Sequence, residues 1–223
     1  MKNLPIGIQS LEQLRDKNCI YVDKTQLVHQ LVTTGSYYFL SRPRRFGKSL
    51  LISTLKCLYL SKKDLFEGLW IEDKWDWSKT SPVIHLSFDA INYQAYSLDK
   101  AISKVLERCA KEYGIQLIET DFKSQFLELI ESLSAQYGKV VLLIDEYDKP
   151  IIDYLEEAKI EQAKAHRVVL RDFYSVLKNA GDHLQLVFIT GISEFSKVSL
   201  FSHLNNLDDI TIDENYGTLT GYT

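Results

Sequence analysis

Apolar positions in this chain follow two periods, and the two alternate along its length. Short runs that are dense in β-branched and aromatic residues read as strands: Tyr37 to Ser41, Pro82 to Phe88, Lys139 to Asp145, Leu184 to Thr190, and a short last one at Ile210 to Asp213. Between them, helical spacing runs from Lys48 to about Leu60, from Ser97 to Tyr113 and from Asp121 to Tyr137. A longer stretch, Pro150 to Asn179, predicts one or two helices. The run VVLLI at Val140 to Ile144 leaves no polar face, as a central parallel strand covered on both sides requires. The alternation predicts an α/β fold with a mostly parallel five-stranded sheet and helices on both faces.

Two segments stand outside that rhythm. Residues 1–35 hold a helix-like stretch and the phrase YVDKT at Tyr21 to Thr25, and are expected to form an N-terminal extension packed on a core of residues 36–223. Leu65 to Thr80 carries Trp70, Trp75 and Trp77 in an acidic, irregular context, which reads as a connection using large aromatics as local core. The chain stops at Gly221-Tyr222-Thr223, and we expect the natural protein to continue.

Charge and cysteine usage narrow the classes. A formal net charge of −4 argues against a general nucleic-acid binder, which would carry a basic surplus. Cys19, Cys57 and Cys109 are few, odd in number and far apart, which fits reduced thiols rather than a disulfide framework. No signal-peptide core and no run of membrane-spanning length is visible, so the expected location is cytoplasmic, with no membrane partner. His29, His85, His166, His183 and His203 have no metal-ligand spacing, and no serine-nucleophile or paired-cysteine zinc motif is present.

The chemistry concentrates between the first strand and the helix after it, in Arg42-Pro43-Arg44-Arg45-Phe46-Gly47-Lys48-Ser49. In a phosphate-binding loop, backbone amides and a helix N-terminus wrap the anionic phosphates. Arg44, Arg45, Phe46, Gly47, Lys48, Ser49 and Leu50 are the candidate nucleotide-binding residues. Lys48 would reach the β- and γ-phosphates, and the Ser49 hydroxyl would ligate Mg²⁺. The general pattern asks for glycine at position 42, where this chain has Arg42. Downstream, Asp145 and Glu146 close the most apolar strand; Asp145 is placed to hold Mg²⁺ through water and Glu146 to polarise an attacking water. Thr190, before Gly191 and Ser193, has two readings: contact with the γ-phosphate or attacking water, or a cap on the following turn. Asp148 reads as the cap of the helix starting near Pro150, with help to the metal as its other reading. Arg167 and Arg171, four apart on one helical face, are either surface charges or a trans-acting arginine finger.

Taken together, LPIGIQS at Leu4 to Ser10, YVDKT, FLSRPRRFGKSL, VVLLIDEYDKPI and FITGISEFSKVSLFSHLNNLDDIT resemble the predicted AAA-ATPase-like family of bacterial and archaeal proteins. The resemblance implies a P-loop NTPase fold with strand order 5-1-4-3-2, ATP and Mg²⁺ as cofactors, and functional roles for Lys48, Ser49, Asp145 and Glu146. It also implies that Arg42 departs from the general loop pattern but not from this family. A C-terminal domain resembling PD-(D/E)XK nucleases commonly follows, and would be the partner domain; nucleic acid as a partner rests on that domain, not on this acidic chain. Three activities stay open: an ATPase coupled to another domain, a slow nucleotide-dependent switch, and, ranked last, a kinase.

Overall fold

The computed structural model describes residues 2–193, 200–201, 204 and 206–221. His203 and part of the stretch FSKVSLFSHLN therefore lie outside the described residues.

Two short helices come first, α1 (Leu11–Asp16) and α2 (Thr25–Thr34). Then β1 (Tyr37–Ser41) leads into α3 (Lys48–Tyr59), and β2 (Val83–Ser87) into α4 (Leu98–Glu112) and α5 (Phe122–Tyr137). The central strand β3 (Val140–Asp145) is followed by α6 (Lys149–Ile152) and α7 (Ile160–Ser175), then by β4 (Leu184–Gly191) and β5 (Asp208–Asp209). The stretch from Pro150 to Asn179 is thus one short and one long helix.

Every pairing in the sheet is parallel, and the strands lie in the order β2-β3-β4-β1-β5. From the β5 edge this reads 5-1-4-3-2. Two expectations need correcting. The sheet is wholly rather than mostly parallel among the described strands, and the last strand is Asp208–Asp209, not Ile210 to Asp213. Pairing with Tyr38 and Phe39 is local to those two residues, and the apolar period of ITID reports a buried Ile210 beside an exposed Ile212 instead.

Alternation along β3 explains its unbroken apolar run. Val140, Leu142 and Ile144 join a core with residues of α4, α5 and α7, while Val141 and Leu143 join a second core with residues of α1, α2 and α3. Helices therefore cover both faces. The N-terminal extension contributes Leu11, Val28 and Leu31 to the second core, and Leu11 N donates to Ser53 Oγ at 2.9 Å. Trp75 and Trp77 pack on that core too, edge-on to Tyr59 and tilted against Phe66 respectively; Trp70 is partly exposed. All three cysteines are free thiols, Cys19 and Cys57 buried and Cys109 half-buried. Among the described residues, no helix is long and apolar enough to cross a membrane.

Candidate functional site

Because all strands run the same way, their C-terminal ends share one edge, the edge where open α/β sheets bind ligands. The register puts Ser41 beside Gly191 there, Leu40 beside Thr190, and Ser87 beside Asp145. The loop from Arg42 to Gly47 leaves this edge and turns into α3.

Local backbone geometry marks that loop. Arg45 has φ of 69° and Gly47 of 85°, two left-handed residues within one tight turn. A left-handed arginine is strained by about 1–3 kcal/mol, a cost that clusters where backbone amides are being aimed. Gly47 stands at the N-cap of α3 without a side-chain cap, and the first turn of the helix holds no acidic residue. The helix thus presents free amide dipoles to the cleft, unlike α5, where the Asp121 carboxylate takes the amides of Lys123 and Ser124.

Arg42 is compatible with this arrangement. Its φ is not left-handed, and its guanidinium points to the β5 edge, donating to the carbonyls of Ser41 and Thr211. Thr211 Oγ1 in turn accepts from Ser41 N at 3.0 Å. The arginine anchors the loop at its base.

Lys48 is buried, and its Nζ donates to the carbonyls of Arg42 at 2.9 Å and Pro43 at 3.1 Å. Burial lowers its pKa, and the nearby carboxylates of Asp145, Glu146 and Asp148 oppose that shift. The ammonium therefore sits in an acidic surround, held by its own loop. A cavity of about 590 Å³ opens beside it, lined by Arg44, Arg45, Gly47, Lys48, Ser49, Leu50 and Glu146.

The carboxylates are arranged in depth. Asp145 is only 5% exposed and accepts a 2.6 Å hydrogen bond from Thr190 Oγ1, itself fully buried. Glu146, the next residue, turns outward through a left-handed φ of 55° and lines the cavity. Burial raises its pKa above the ordinary glutamate value, helped by the charges of Asp145 and Asp89 and opposed by Lys149 and Lys48. The hydrogen bonds of Thr190 Oγ1 thus run to the end of β3, to Asp145 and to the carbonyl of Ile144.

Asp148 corrects another expectation. It occupies the N-cap position of α6, but its carboxylate makes no cap bond; it accepts from Ile192 N, Ser193 N and Ser193 Oγ, the last two at 2.8 Å. Tyr147 assists, donating its hydroxyl to Ser193 O at 2.7 Å. Gly191 makes this packing feasible: a Cβ there would collide with the Tyr147 ring and lie 2.9 Å from Asp148 Oδ1. DEYD is therefore a unit in which Glu146 lines the cavity, Asp145 sits buried against Thr190, and Tyr147 and Asp148 clamp the end of β4.

Phe46 lines a neighbouring cavity, and Gly221 N donates to its carbonyl at 2.8 Å. Arg167 and Arg171 are exposed on α7, where Arg171 lies 3.7 Å from Asp172. One wall of the site has no counterpart among the sequence expectations: Pro5 to Gln9 also line the 590 Å³ cavity. Gly7, at φ of 74°, is the sequence trace of that wall.

Comparison with known proteins decides the family. The model of a family described as "Predicted AAA-ATPase" matches residues 5–201. The chain belongs to the predicted AAA-ATPase family. A protein of Azotobacter chroococcum mcd 1, "Uncharacterized protein in vnfD 5'region", is 45% identical over 225 residues. The match takes in 100% of this chain and 43% of that relative, so this predicted AAA-ATPase chain spans less than half the relative's length. No solved structure matches it.

Proposed function

We propose that this predicted AAA-ATPase chain is a P-loop domain that binds Mg-ATP and hydrolyses it. One observation carries the reading. Lys48, the uncapped N-terminus of α3 and Glu146 converge on a single cavity, with Asp145 held behind them by Thr190.

The donor set fits Mg²⁺ bound through nucleotide. Among the described residues no group of three or more His, Cys, Asp or Glu could cage a metal. Mg²⁺ suits one or two protein ligands completed by phosphate and water; the Ser49 hydroxyl would ligate it and Asp145 would hold it through water. When bound, Mg²⁺ neutralises charge on the phosphate oxygens.

The chain's own residues do the rest. Lys48 leaves its loop carbonyls to pair with the β- and γ-phosphates, and the amides from Arg45 to Ser49 bind the anion. Arg44 and Arg45 add positive charge at the rim. Glu146 orients the attacking water and takes its proton, and Thr190 keeps Asp145 in one orientation. The work is positioning and charge neutralisation for an in-line attack. A slow regulatory switch is the second reading, favoured by Lys48 being held on the carbonyls of Arg42 and Pro43, which it must leave before it can meet phosphate. The length of the Azotobacter relative supports coupling to a further segment, for which a nuclease-like domain is the expectation.

A thermal melt with and without Mg-ATP tests the reading, on the native chain and on Lys48→Ala. Ligand at about a hundred times its Kd adds roughly 2.7 kcal/mol, a rise of about 5–10 °C for a domain of this size. The rise should vanish in Lys48→Ala. No rise in a folded native chain would sink the nucleotide reading.

A further inference from the structure

We infer that Lys149 is a positioning residue for Glu146: it pins helix α6 to Asp89, in the loop after β2, and so holds the glutamate turned toward the cavity. The inference rests on the reading of Glu146 as the residue that orients the attacking water, and it names what keeps that residue in place.

Glu146 needs holding. Its φ of 55° is left-handed, a conformation that a residue with a Cβ keeps only where its surroundings over-determine it. On the β4 side the support is the Tyr147 amide, which donates to Thr190 O at 3.0 Å, and the Asp148 carboxylate on the amides of Ile192 and Ser193. On the β2 side it is Lys149. Its amide donates to Glu146 O at 3.0 Å, closing the turn that leads from the glutamate into α6. Its ammonium lies 3.5 Å from Asp89 Oδ1 and 3.3 Å from Asp153 Oδ2. Asp89 follows Phe88, whose amide donates to Asp145 O at 3.1 Å, so the loop after β2 is itself moored to the acidic strand end.

This ion pair differs from an ordinary surface contact. The side chains of Lys149 and Asp153 are 21% and 24% exposed, against 42% and 46% for Lys62 and Glu12. Exposed pairs of the second kind hold little. Asp153 is fixed in turn by Tyr93, whose hydroxyl donates to Asp153 Oδ2 at 2.7 Å and whose buried ring meets His166 of α7 edge-on. The loop after β2, α6 and α7 therefore meet at one cluster. Asp89 and Glu146 carry like charges, and Lys149 is an opposite charge that acts on both. Removing the ammonium leaves their repulsion less compensated and takes away one of two supports of a strained backbone. Lys149 is not among the residues that line the 590 Å³ cavity, so its effect on turnover runs through Glu146 and not through phosphate.

Steady-state hydrolysis of Mg-ATP, read as kcat and KM, tests this on the native chain, Lys149→Met, Asp89→Asn, Glu146→Gln and the double variant of Lys149→Met with Glu146→Gln. Lys149→Met keeps the aliphatic stem and should lower kcat about tenfold or more, while KM changes less than about twofold. Asp89→Asn alters an exposed side chain that the core does not need, and should lower kcat about threefold with KM unchanged. In the Glu146→Gln background, Lys149→Met should cost less than about a further twofold, because the residue it positions is already disabled. A further loss as large as in the native background would overturn the inference. So would a folded Lys149→Met with kcat within about twofold of native, or a loss confined to KM. Should Lys149→Met fail to fold, Asp89→Asn decides, and an unchanged kcat there overturns the inference. Each of these failures leaves hydrolysis by the native chain standing. A native chain that shows no turnover would remove the hydrolysis reading and this one together.

Discussion

Two adjacent carboxylates, Asp145 and Glu146, have been given different surroundings, and the roles proposed for them rest on that difference. Asp145 is buried with a hydroxyl donor, whereas Glu146 lines a cavity in a left-handed conformation among other acids. A raised glutamate pKa means that the native state holds its proton more tightly than the unfolded chain. That contribution to stability is complete below the unfolded value near 4 and is lost as pH rises through the native value. Glu146→Gln should therefore melt higher than the native chain at pH 7, and the gain should shrink as pH falls toward about 4. The same substitution should lower turnover by about 10²–10⁴-fold while Mg-ATP still stabilises the fold, which a single-turnover assay beside the melts would check. Turnover of the native chain should also fail on the acid side at a higher pH than an ordinary glutamate would give. Thr190→Val removes the donor to a buried carboxylate and should cost about 1–3 kcal/mol in chemical denaturation. It should also raise the Mg²⁺ concentration needed for half-maximal turnover.

At the scale of elements, the strand ends matter more than the strands. The apolar runs made β1 to β4 legible because burial on both faces leaves period and composition no other solution. The linkage between β3 and β4 was not legible. Asp148 looks like a helix cap in sequence, since acidic residues before a proline-started helix usually are. Its carboxylate instead reaches the amides of Ile192 and Ser193, some forty residues away in the chain, and no local pattern encodes a contact at that separation. Gly191 is the residue that the clamp cannot spare. Gly191→Ala should destabilise by about 3 kcal/mol, at the upper end of overpacking effects, and the loss should appear as a lower denaturation midpoint with little change in slope. A near-neutral outcome would show that the Tyr147 ring can move aside. β5 falls at Asp208–Asp209 and not in ITID for a related reason. Two paired residues at a sheet edge carry no periodicity, and their position is decided by where Tyr38 and Phe39 offer free backbone groups.

The whole molecule shields its thiols. Cys19 and Cys57 are 4% and 2% exposed, and burial pushes the thiols of Cys57 and Cys109 up to about 11. At pH 8 roughly one such thiol in a thousand would be ionised, so a thiol-exchange reagent should label the native chain slowly and the unfolded chain at once. Fast labelling of two or more thiols under native conditions would contradict this packing.

The sequence by itself determined the α/β class, the central strand, most helix positions and the family, because periodicity and short motifs are local properties of a chain. It also placed Lys48, Ser49, Asp145 and Glu146 on their loop and strand end. Tertiary structure alone decided the rest: that Thr190 holds Asp145, that Arg42 turns away to Thr211, and that Pro5 to Gln9 and Leu219 to Gly221 wall the two cavities. Each of these joins residues far apart in the chain. Such contacts are selected by the burial of polar groups that must find partners once the sheet has closed, and no spacing along the chain encodes that choice.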